Sequence, residues 1–330
     1  MITQKKAPLK VAVTGAAGQI SYSLLFRLAS GEVFGADTPI ELHLIELPMA
    51  MQATEGVAME LWDCGYGALT DIQIFDSVEA GFDGVHWAVL VGSKPRQKGM
   101  QRRDLIRVNG PIFAEQGKAL LKADDTVNCL VVGNPCNTNA LIALSHAQDI
   151  PANRFYAMTA LDENRAKYQI ANKLQCSVVA VNNLIIWGNH SASMVPDYEN
   201  AQVYGQALME QFGDHEWLQT DFIESVQQRG MEIIKARSKS SAASAASACI
   251  DTLKHLYTPS STPFSCAAYS TGNPYEINDG IVYSFPMVTT ASGVTNIVSG
   301  YHHSEFLRQK MKVSQDELMV EKEAVADLIP

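Results

Sequence analysis

Short, continuous apolar runs alternate with longer amphipathic stretches through the first half of the chain. The runs are rich in Val, Leu and Ile, and each is closed by Gly, Pro or Asn: residues 9–15, 40–47, 87–93 and 126–134. Because apolar residues fill successive positions rather than every second one, the runs predict parallel strands buried on both faces. Helices are predicted between them, at 18–30 and 110–123. This order predicts a doubly wound parallel α/β sheet.

The second half of the chain has a more mixed pattern. Helices are predicted there at residues 163–174, 216–236, 239–255 and 314–329. Two apolar runs, 177–188 and 280–290, predict antiparallel strands. A chain of 330 residues is expected to form two domains. We place the boundary near residue 155, with the doubly wound sheet in 1–155 and a mixed α+β domain in 156–330.

The charge of the chain narrows the range of partners. The sequence carries 35 acidic and 25 basic side chains, which gives a net charge of −10. No basic face is expected that could neutralise many phosphates, so a nucleic-acid partner is not expected. No apolar run reaches the roughly 18 residues that a membrane span needs. The N-terminal segment enters the first strand without a signal-peptide core, so we expect no membrane partner.

The cysteines indicate a reducing compartment. None of the six forms a Cys-x-x-Cys pair, and they are spread over both halves of the chain: Cys64, Cys129, Cys136, Cys176, Cys249 and Cys266. This spacing is typical neither of a zinc site nor of a secreted disulfide framework. We therefore expect reduced thiols, no bound metal and a cytoplasmic protein.

One short segment is strongly basic although the chain as a whole is acidic. Residues 96–110, "RQKGMQRRDLIRVNG", contain five cations: Arg96, Lys98, Arg102, Arg103 and Arg107. Such a run is usually a solvated surface. The alternative is a mobile loop, about 92–108, that closes over a small ligand with two negative charges.

Two glycines at the end of the first strand indicate a dinucleotide site. Gly15 ends the strand and Gly18 begins the helix, just before Gln19 and Ile20. This placement lets the chain turn tightly and lets backbone N–H groups approach a pyrophosphate at the helix N-terminus. The spacing is G-x-x-G rather than G-x-G-x-x-G, with Ser21 near the position of a third glycine. An ordinary strand-turn-helix would also explain it.

A carboxylate ends the second strand. Glu46 could accept hydrogen bonds from both hydroxyls of an adenosine ribose, and it would repel a 2′-phosphate. That favours NAD over NADP. The alternative is that Glu46 is one more exposed acid among many, but the acid and the glycine turn together favour a dinucleotide site.

Candidate catalytic side chains occur in three further stretches. Asp162 and Arg165 stand three residues apart at the start of a predicted helix, so they share a face. His190 lies in a Gly/Asn/Ser loop after a buried strand, and Asn134 ends the fourth strand. Taken singly, these residues could be a helix cap, a surface cation, a loop histidine and a turn former.

Five motifs taken together carry a family resemblance. "GAAGQI", "PRQKGMQRRDL", "VGNPCNTN", "LDENRA" and "WGNHSASMVPD" occur in this order within residues 9–325 and resemble the malate dehydrogenases, in particular the branch of the cytosolic animal enzymes. The resemblance implies a Rossmann-type NAD-binding domain and a substrate domain. It also implies a homodimer that oxidises (S)-malate to oxaloacetate with NAD, a step of the tricarboxylic acid cycle.

The resemblance also implies roles for the substrate-side residues. His190 corresponds to the proton acceptor, and Asp162 to the partner that fixes its tautomer. Arg165 would bind the C1 carboxylate of the substrate, Arg96 the distal carboxylate, and Arg102 would polarise the reacting oxygen. The basic segment would then be a loop that closes over a dicarboxylate.

The remaining assignments concern the cofactor. Asn134 would contact both substrate and NAD. The resemblance adds further residues to the cofactor site formed by the glycine turn and Glu46: Asn109, Gln116 and Val132. Two other functions remain open, a lactate-type 2-hydroxy-acid dehydrogenase and a catalytically silent NAD-binding protein.

Overall fold

The computed structural model describes residues 7–95, 100 and 102–330. They form two compact units. The first comprises the described residues through Tyr156 together with Ala324–Pro330, and the second comprises Ala157–Glu323. The boundary between the units follows Tyr156, one residue beyond the predicted end of the first domain at residue 155.

A parallel sheet forms the centre of the first unit. Its strands are β1 (Leu9–Thr14), β2 (Ile40–Ile45), β3 (Leu69–Phe75), β4 (Trp87–Leu90), β5 (Asn128–Val131) and β6 (Phe155–Ala157). They are arranged in the order β3-β2-β1-β4-β5-β6. Parallel pairing places Val11 opposite both Leu42 and Trp87. From β1 the chain adds β2 and β3 on one side, and it then crosses to the other side of β1 to add β4, β5 and β6. This strand order defines a doubly wound α/β sheet.

The predicted parallel strands are confirmed, because their apolar runs are buried on both faces. All six residues of β2 are buried, as are all four of β4. The edge strand β3 was missed by the sequence pattern. Polar side chains interrupt its apolar ones, and Thr70 and Asp71 are exposed.

Helices flank this sheet. They are α1 (Gln19–Ala29), α2 (Met51–Asp63), α3 (Val78–Gly81), α4 (Arg102–Ala119) and α5 (Cys136–His146). Helix α4 begins at Arg102 rather than at residue 110, so the predicted loop over 92–108 is wrong for residues 102–108. The segment is amphipathic, with Leu105 and Ile106 buried and Arg103 and Arg107 exposed, and the apolar stripe favours a helix over a loop.

Residues 324–330 belong to the first unit, although the predicted second domain extended over 156–330. The His146 ring lies with Nε2 2.8 Å from the carbonyl oxygen of Leu328. The Leu328 side chain also covers Gly110, where an added Cβ would be 2.4 Å from Leu328 Cδ1. These contacts fix the segment on α4 and α5.

The second unit mixes helices with antiparallel strands. Its helices are α6 (Ala160–Leu174), α7 (Leu208–Gln211), α8 (His215–Trp217), α9 (Ile223–Arg237), α10 (Ala243–Tyr257) and α11 (Glu305–Ala324), the last of which ends at the unit boundary. Its strands are β7 (Val181–Asn182), β8 (Ile186–Trp187), β9 (Val195–Pro196), β10 (Gln202–Val203), β11 (Gln206–Ala207), β12 (Phe264–Tyr269), β13 (Val282–Thr289) and β14 (Thr295–Ile297). Strand β13 pairs antiparallel with both β12 and β14.

Two predicted elements of this unit differ from the structure. The run 177–188 is not one strand, because Asn183 has a φ of 54° and separates β7 from β8. The helix predicted at 314–329 is α11, which begins at Glu305 and ends at Ala324. Among the described residues, no helix has the length and apolar character needed to cross a membrane.

Candidate active site

The turn between β1 and α1 brings two strand ends into close contact. Gly15 has a φ of +65°, and a Cβ there would lie 2.7 Å from the Cα of Gly92, which follows β4. A Cβ on Gly92 would in turn lie 3.0 Å from the nitrogen of Gly15. Side chains are excluded at both positions, so the two backbones form an open cradle at the carboxyl edge of the sheet.

The N-terminus of α1 opens onto this cradle. The Gly18 N–H donates to the Gly15 carbonyl at 3.0 Å, and Gly18 precedes the helix without a capping side chain. The first-turn N–H groups of Gln19 and Ile20 have no intrahelical acceptor, which makes them donors for an anion. Ser21 is fully buried, so a small residue stands where the third glycine of the longer motif would be expected.

Glu46 follows β2 and is tied to the same turn. Its Oε2 accepts the Ala17 N–H at 3.0 Å, and its Oε1 accepts the Leu47 N–H at 2.9 Å. Each carboxylate oxygen has further lone pairs, so the group can accept ribose hydroxyls while it stays anchored. The cradle, the helix N-terminus and Glu46 together fit a dinucleotide with its pyrophosphate on the helix and its ribose on the carboxylate.

Asn109 connects two of the segments that follow strands of the sheet. It is fully buried on α4, and its Nδ2 donates to the carbonyls of Lys94 at 3.1 Å and Asn134 at 2.9 Å. Its Oδ1 accepts the Lys94 N–H at 2.8 Å. The carboxamide therefore joins the segments that follow β4 and β5, and a direct bond from it to NAD stays a prediction.

The other residues expected near the cofactor surround these segments. Val132 is buried, and its N–H donates to Leu90 at 2.9 Å. The Asn134 side chain is exposed. Gln116 is buried on α4, and its Oε1 has no hydrogen-bond partner among the described residues. Arg102 is half-buried at the start of α4, whereas Arg96 lies outside the described residues.

In the second unit, a short hydrogen bond joins His190 to Asp162. The Asp162 carboxylate is fully buried in the first turn of α6, and its Oδ2 lies 2.5 Å from His190 Nδ1. An ionised carboxylate only accepts hydrogen bonds, so this contact places the proton on Nδ1 and makes Nε2 the basic nitrogen of the neutral ring.

Arg165 shares the same carboxylate. Its Nη1 donates to Asp162 Oδ1 at 3.1 Å, and its Nη2 donates to Ser241 Oγ at 3.2 Å. The structure thus joins His190 and Arg165 to the buried acid Asp162. The alternative roles of these three residues, as a loop histidine, a surface cation and a helix cap, do not explain this arrangement. The contact with Ser241 was missed, because the serine-rich stretch around it gave no signal.

The loop that carries His190 has a second set of partners that the sequence pattern did not reveal. Asn189, Ser191 and Ser193 form hydrogen bonds to Glu317 on α11. The available signal was the spacing of Ser314, Glu317 and Glu321, which is three and then four residues and places them on one helix face.

None of the cysteines forms a disulfide, and all six lie among the described residues. Burial raises the pKa of the Cys129 thiol on β5 well above its usual range. No group of His, Cys, Asp or Glu in the described ranges is arranged to hold a metal ion.

The fold and the site together define a class. A doubly wound sheet with a glycine turn and a strand-end acid, in a chain that also holds a buried His–Asp–Arg group, is typical of a dinucleotide-dependent dehydrogenase. The chain belongs to the lactate/malate dehydrogenase family. The model of that family's NAD-binding domain matches residues 9–156, and the model of its α/β C-terminal domain matches residues 159–329.

Curated relatives cover nearly the whole chain. The malate dehydrogenase of Magnetococcus marinus is 49% identical over 98% of this chain and 99% of its own length. The malate dehydrogenase of Protochlamydia amoebophila is 48% identical over 98% of both chains. The resemblance to malate dehydrogenases inferred from the motifs is therefore confirmed.

Solved structures of a malate dehydrogenase and a lactate dehydrogenase are also similar to this chain. The malate dehydrogenase of Naegleria fowleri matches with a TM-score of 0.94 and 42% identity, over 98% of this chain and all of that one. The lactate dehydrogenase of Trichomonas vaginalis, solved in complex with NADH and oxamate, matches with a TM-score of 0.93 and 36% identity, over 98% and 99% of the two chains.

Proposed function

We propose that the protein is an NAD-dependent malate dehydrogenase that interconverts (S)-malate and oxaloacetate. The observation that carries the proposal is the buried Asp162 carboxylate, which holds His190 and Arg165 at 2.5 Å and 3.1 Å. The two curated relatives described above, at 48% and 49% identity, are malate dehydrogenases. A dehydrogenase needs a base for the hydroxyl proton and a cation for the adjacent carboxylate, and this group provides both.

His190 is the proton acceptor for the C2 hydroxyl of malate. Asp162 holds Nδ1–H, so Nε2 takes the proton, and the buried carboxylate stabilises the imidazolium that results. The glycine turn, Gln19, Ile20 and Glu46 would hold NAD, which when bound would supply the hydride acceptor for C2. In the reverse direction His190 donates this proton to the carbonyl oxygen of oxaloacetate.

Three arginines account for the two carboxylates and the reacting oxygen. Arg165 binds the C1 carboxylate, since a planar guanidinium can bond two oxygens at once. Arg96 binds the distal carboxylate, and Arg102 offsets the charge that grows on the carbonyl oxygen during reduction. The support for the last two assignments is the cluster of five cations in an otherwise acidic chain, together with the similarity to two malate dehydrogenases.

A lactate-type activity is the second candidate. The observation that favours it is the 36% identity to the lactate dehydrogenase of Trichomonas vaginalis over 98% of this chain. Arg96 argues against it, because pyruvate has a methyl group in place of the carboxymethyl group of oxaloacetate. A desolvated Arg96 without a counterion costs on the order of 2–5 kcal/mol.

A substrate panel with an Arg96 variant tests the proposal. Wild-type protein should oxidise NADH with oxaloacetate far faster than with pyruvate. Arg96→Gln should lower kcat/KM for oxaloacetate by about 30-fold or more, because the distal carboxylate loses its cation. The same change should raise the relative rate with uncharged 2-keto acids.

The matched control is Arg103→Gln, which removes an exposed cation of the same segment. Its side chain is 76% accessible and pairs with Asp104, so activity on both substrates should match that of the wild type. An unaltered oxaloacetate-to-pyruvate ratio in Arg96→Gln would show that Arg96 does not bind the distal carboxylate. A wild-type protein that prefers pyruvate would favour the lactate-type alternative.

The proposal extends to assembly and location. We propose a homodimer in the cytoplasm that serves the tricarboxylic acid cycle. Support for a dimer comes from apolar side chains exposed around α2, including Met49 (89% exposed), Met59 (65%) and Trp62 (47%). Support for a reducing compartment comes from the six thiols.

A further inference from the structure

Helix α11 lies directly behind the loop that carries His190. Ser314, Glu317 and Glu321 share one face of this helix, because they are spaced three and four residues apart. That face meets residues 188–193, which lie on both sides of the catalytic histidine. Ser314 is fully buried and Glu321 is 5% exposed.

One carboxylate oxygen of Glu317 collects donors from three loop residues. Its Oε2 accepts Asn189 Nδ2 at 2.9 Å, Ser191 Oγ at 2.5 Å and Ser193 Oγ at 2.6 Å. Asn189 precedes His190 and the two serines follow it. Residues on both sides of His190 are therefore anchored to the same negative charge.

Ser314 and Glu321 belong to the same network. The Asn189 N–H donates to Ser314 Oγ at 2.8 Å, and Asn189 Nδ2 also donates to Glu321 Oε1 at 2.9 Å. The hydroxyls of Ser314 and Ser193 lie 2.9 Å apart. Because Ser193 donates to Glu317, the hydroxyl hydrogen in this contact belongs to Ser314. Because the carboxylate can only accept hydrogen bonds, it determines to which oxygen each of these two hydroxyls donates.

Gly188 shows how tightly the loop is held. It has a φ of +93°, and a Cβ there would lie 2.1 Å from Ser314 Oγ and 2.6 Å from Ser314 Cβ. The loop backbone therefore packs directly against the Ser314 side chain of the helix. The Gly188 N–H also donates to the Ser284 carbonyl at 3.3 Å, which ties the start of the loop to β13.

We infer that Glu317 is a positioning residue for the reaction, and that its carboxylate sets the orientation of His190 through Asn189, Ser191 and Ser193. This inference rests on the proposed dehydrogenase function. The position of the ring against Asp162 depends on how the backbone on both sides of His190 is held. Glu317 supplies that constraint, and its charge strengthens all three hydrogen bonds.

The test replaces Glu317 by Gln and measures a single turnover. Enzyme saturated with NADH is mixed with oxaloacetate, and the decay of NADH absorbance gives a rate constant and an amplitude. Glu317→Gln should lower the rate constant by between about 10-fold and 100-fold, because a small displacement of the base slows proton transfer. The amplitude and the Kd for NADH, measured by fluorescence titration, should match those of the wild type. Deuterium at the transferred C4 position of NADH should slow the variant's turnover, which identifies the slow step as chemistry.

The matched control is Glu323→Gln, an exposed acid on the same helix, and it should leave the rate constant unchanged. If Glu317→Gln lowers only the amplitude, the residue contributes to folding alone and the inference is wrong. Should Glu317→Gln fail to fold, Ser193→Ala removes one of the three donors and should show a smaller fall of the rate constant, again at full amplitude. A wild-type protein inactive with oxaloacetate overturns the proposed function and this inference with it, whereas an active wild type with an unchanged variant overturns the inference only.

Discussion

Asp162 performs two tasks with one buried carboxylate. Its Oδ2 bonds the base His190, and its Oδ1 bonds the guanidinium of Arg165. A buried carboxylate with two cationic or polar donors is well compensated, whereas loss of its charge leaves both donors unmatched. The acid therefore couples the orientation of the base to that of the carboxylate-binding arginine.

The variant Asp162→Asn tests this coupling. The amide keeps the shape of the side chain, but its NH2 group faces one of the two donors, His190 or Arg165, and cannot accept a hydrogen bond from it. We expect kcat for oxaloacetate reduction to fall by about 100-fold to 10,000-fold, the usual contribution of a positioned acid or base. NADH binding, measured by fluorescence titration, should stay within twofold of the wild type, since the cofactor residues lie in the other unit. A variant with wild-type kcat would show that the carboxylate does not orient His190.

At the residue scale, the motifs select residues but do not reveal which partners their side chains contact. His190, Asp162 and Arg165 could be selected from motif wording, and the structure joins them. Asn109 has the same motif origin, yet its carboxamide is engaged by backbone groups of Lys94 and Asn134. The partners of a carboxamide depend on which segments meet in space, and the sequence pattern does not contain that information.

At the scale of elements, two glycines on α4 show what close packing requires. A Cβ on Gly117 would lie 2.3 Å from the carbonyl oxygen of Ala143 on α5, whereas a Cβ on Gly110 would meet the end of the Leu328 side chain. Backbone cannot move aside as a side chain can. The α4–α5 contact therefore depends on Gly117 far more than on Gly110.

Substitution of each glycine by alanine tests this difference on the same helix. Gly110→Ala should change the free energy of unfolding by less than about 1 kcal/mol, because the gain in helix propensity offsets a shift of Leu328. Gly117→Ala should lower it by about 1–3 kcal/mol through overpacking against the α5 backbone. Urea denaturation followed by circular dichroism measures both. Equal stability of the two variants would contradict the packing argument.

Four strands of the first unit (β1, β2, β4 and β5) could be predicted, because burial on both faces leaves a continuous apolar signature. The start of α4 could not, since Arg102, Arg103 and Arg107 obscured an apolar stripe that includes Leu105 and Ile106. The run 177–188 was also misjudged. Its apolar residues resemble one strand, but the positive φ of Asn183 is a backbone feature that composition does not reveal.

At the scale of the whole molecule, three large apolar side chains around α2 are exposed. Met49, Met59 and Trp62 keep much of their surface in contact with water. A second copy of the chain would bury this surface by a two-fold interface, the commonest arrangement of homo-oligomers.

Sedimentation analysis of Trp62→Glu tests the proposed dimer. Wild-type protein should sediment as two chains of 36.0 kDa each. Trp62→Glu should sediment as one, because a charge would be buried in the apolar contact. Val313→Glu, at a 60% exposed position of α11, is the control and should keep the wild-type mass. A wild-type protein that sediments as a single chain would contradict the dimer proposal.

Because residues 324–330 pack with the first unit, the ribosome makes the last piece of that unit only after it has made the second unit. Until Leu328 has left the ribosome, the His146 ring lacks its carbonyl neighbour and the surface at Gly110 is uncovered. Domains usually fold in the order in which they are translated. Here the nucleotide-binding half reaches its full set of contacts only after the substrate half has been translated, so maturation of the two halves is coupled in time.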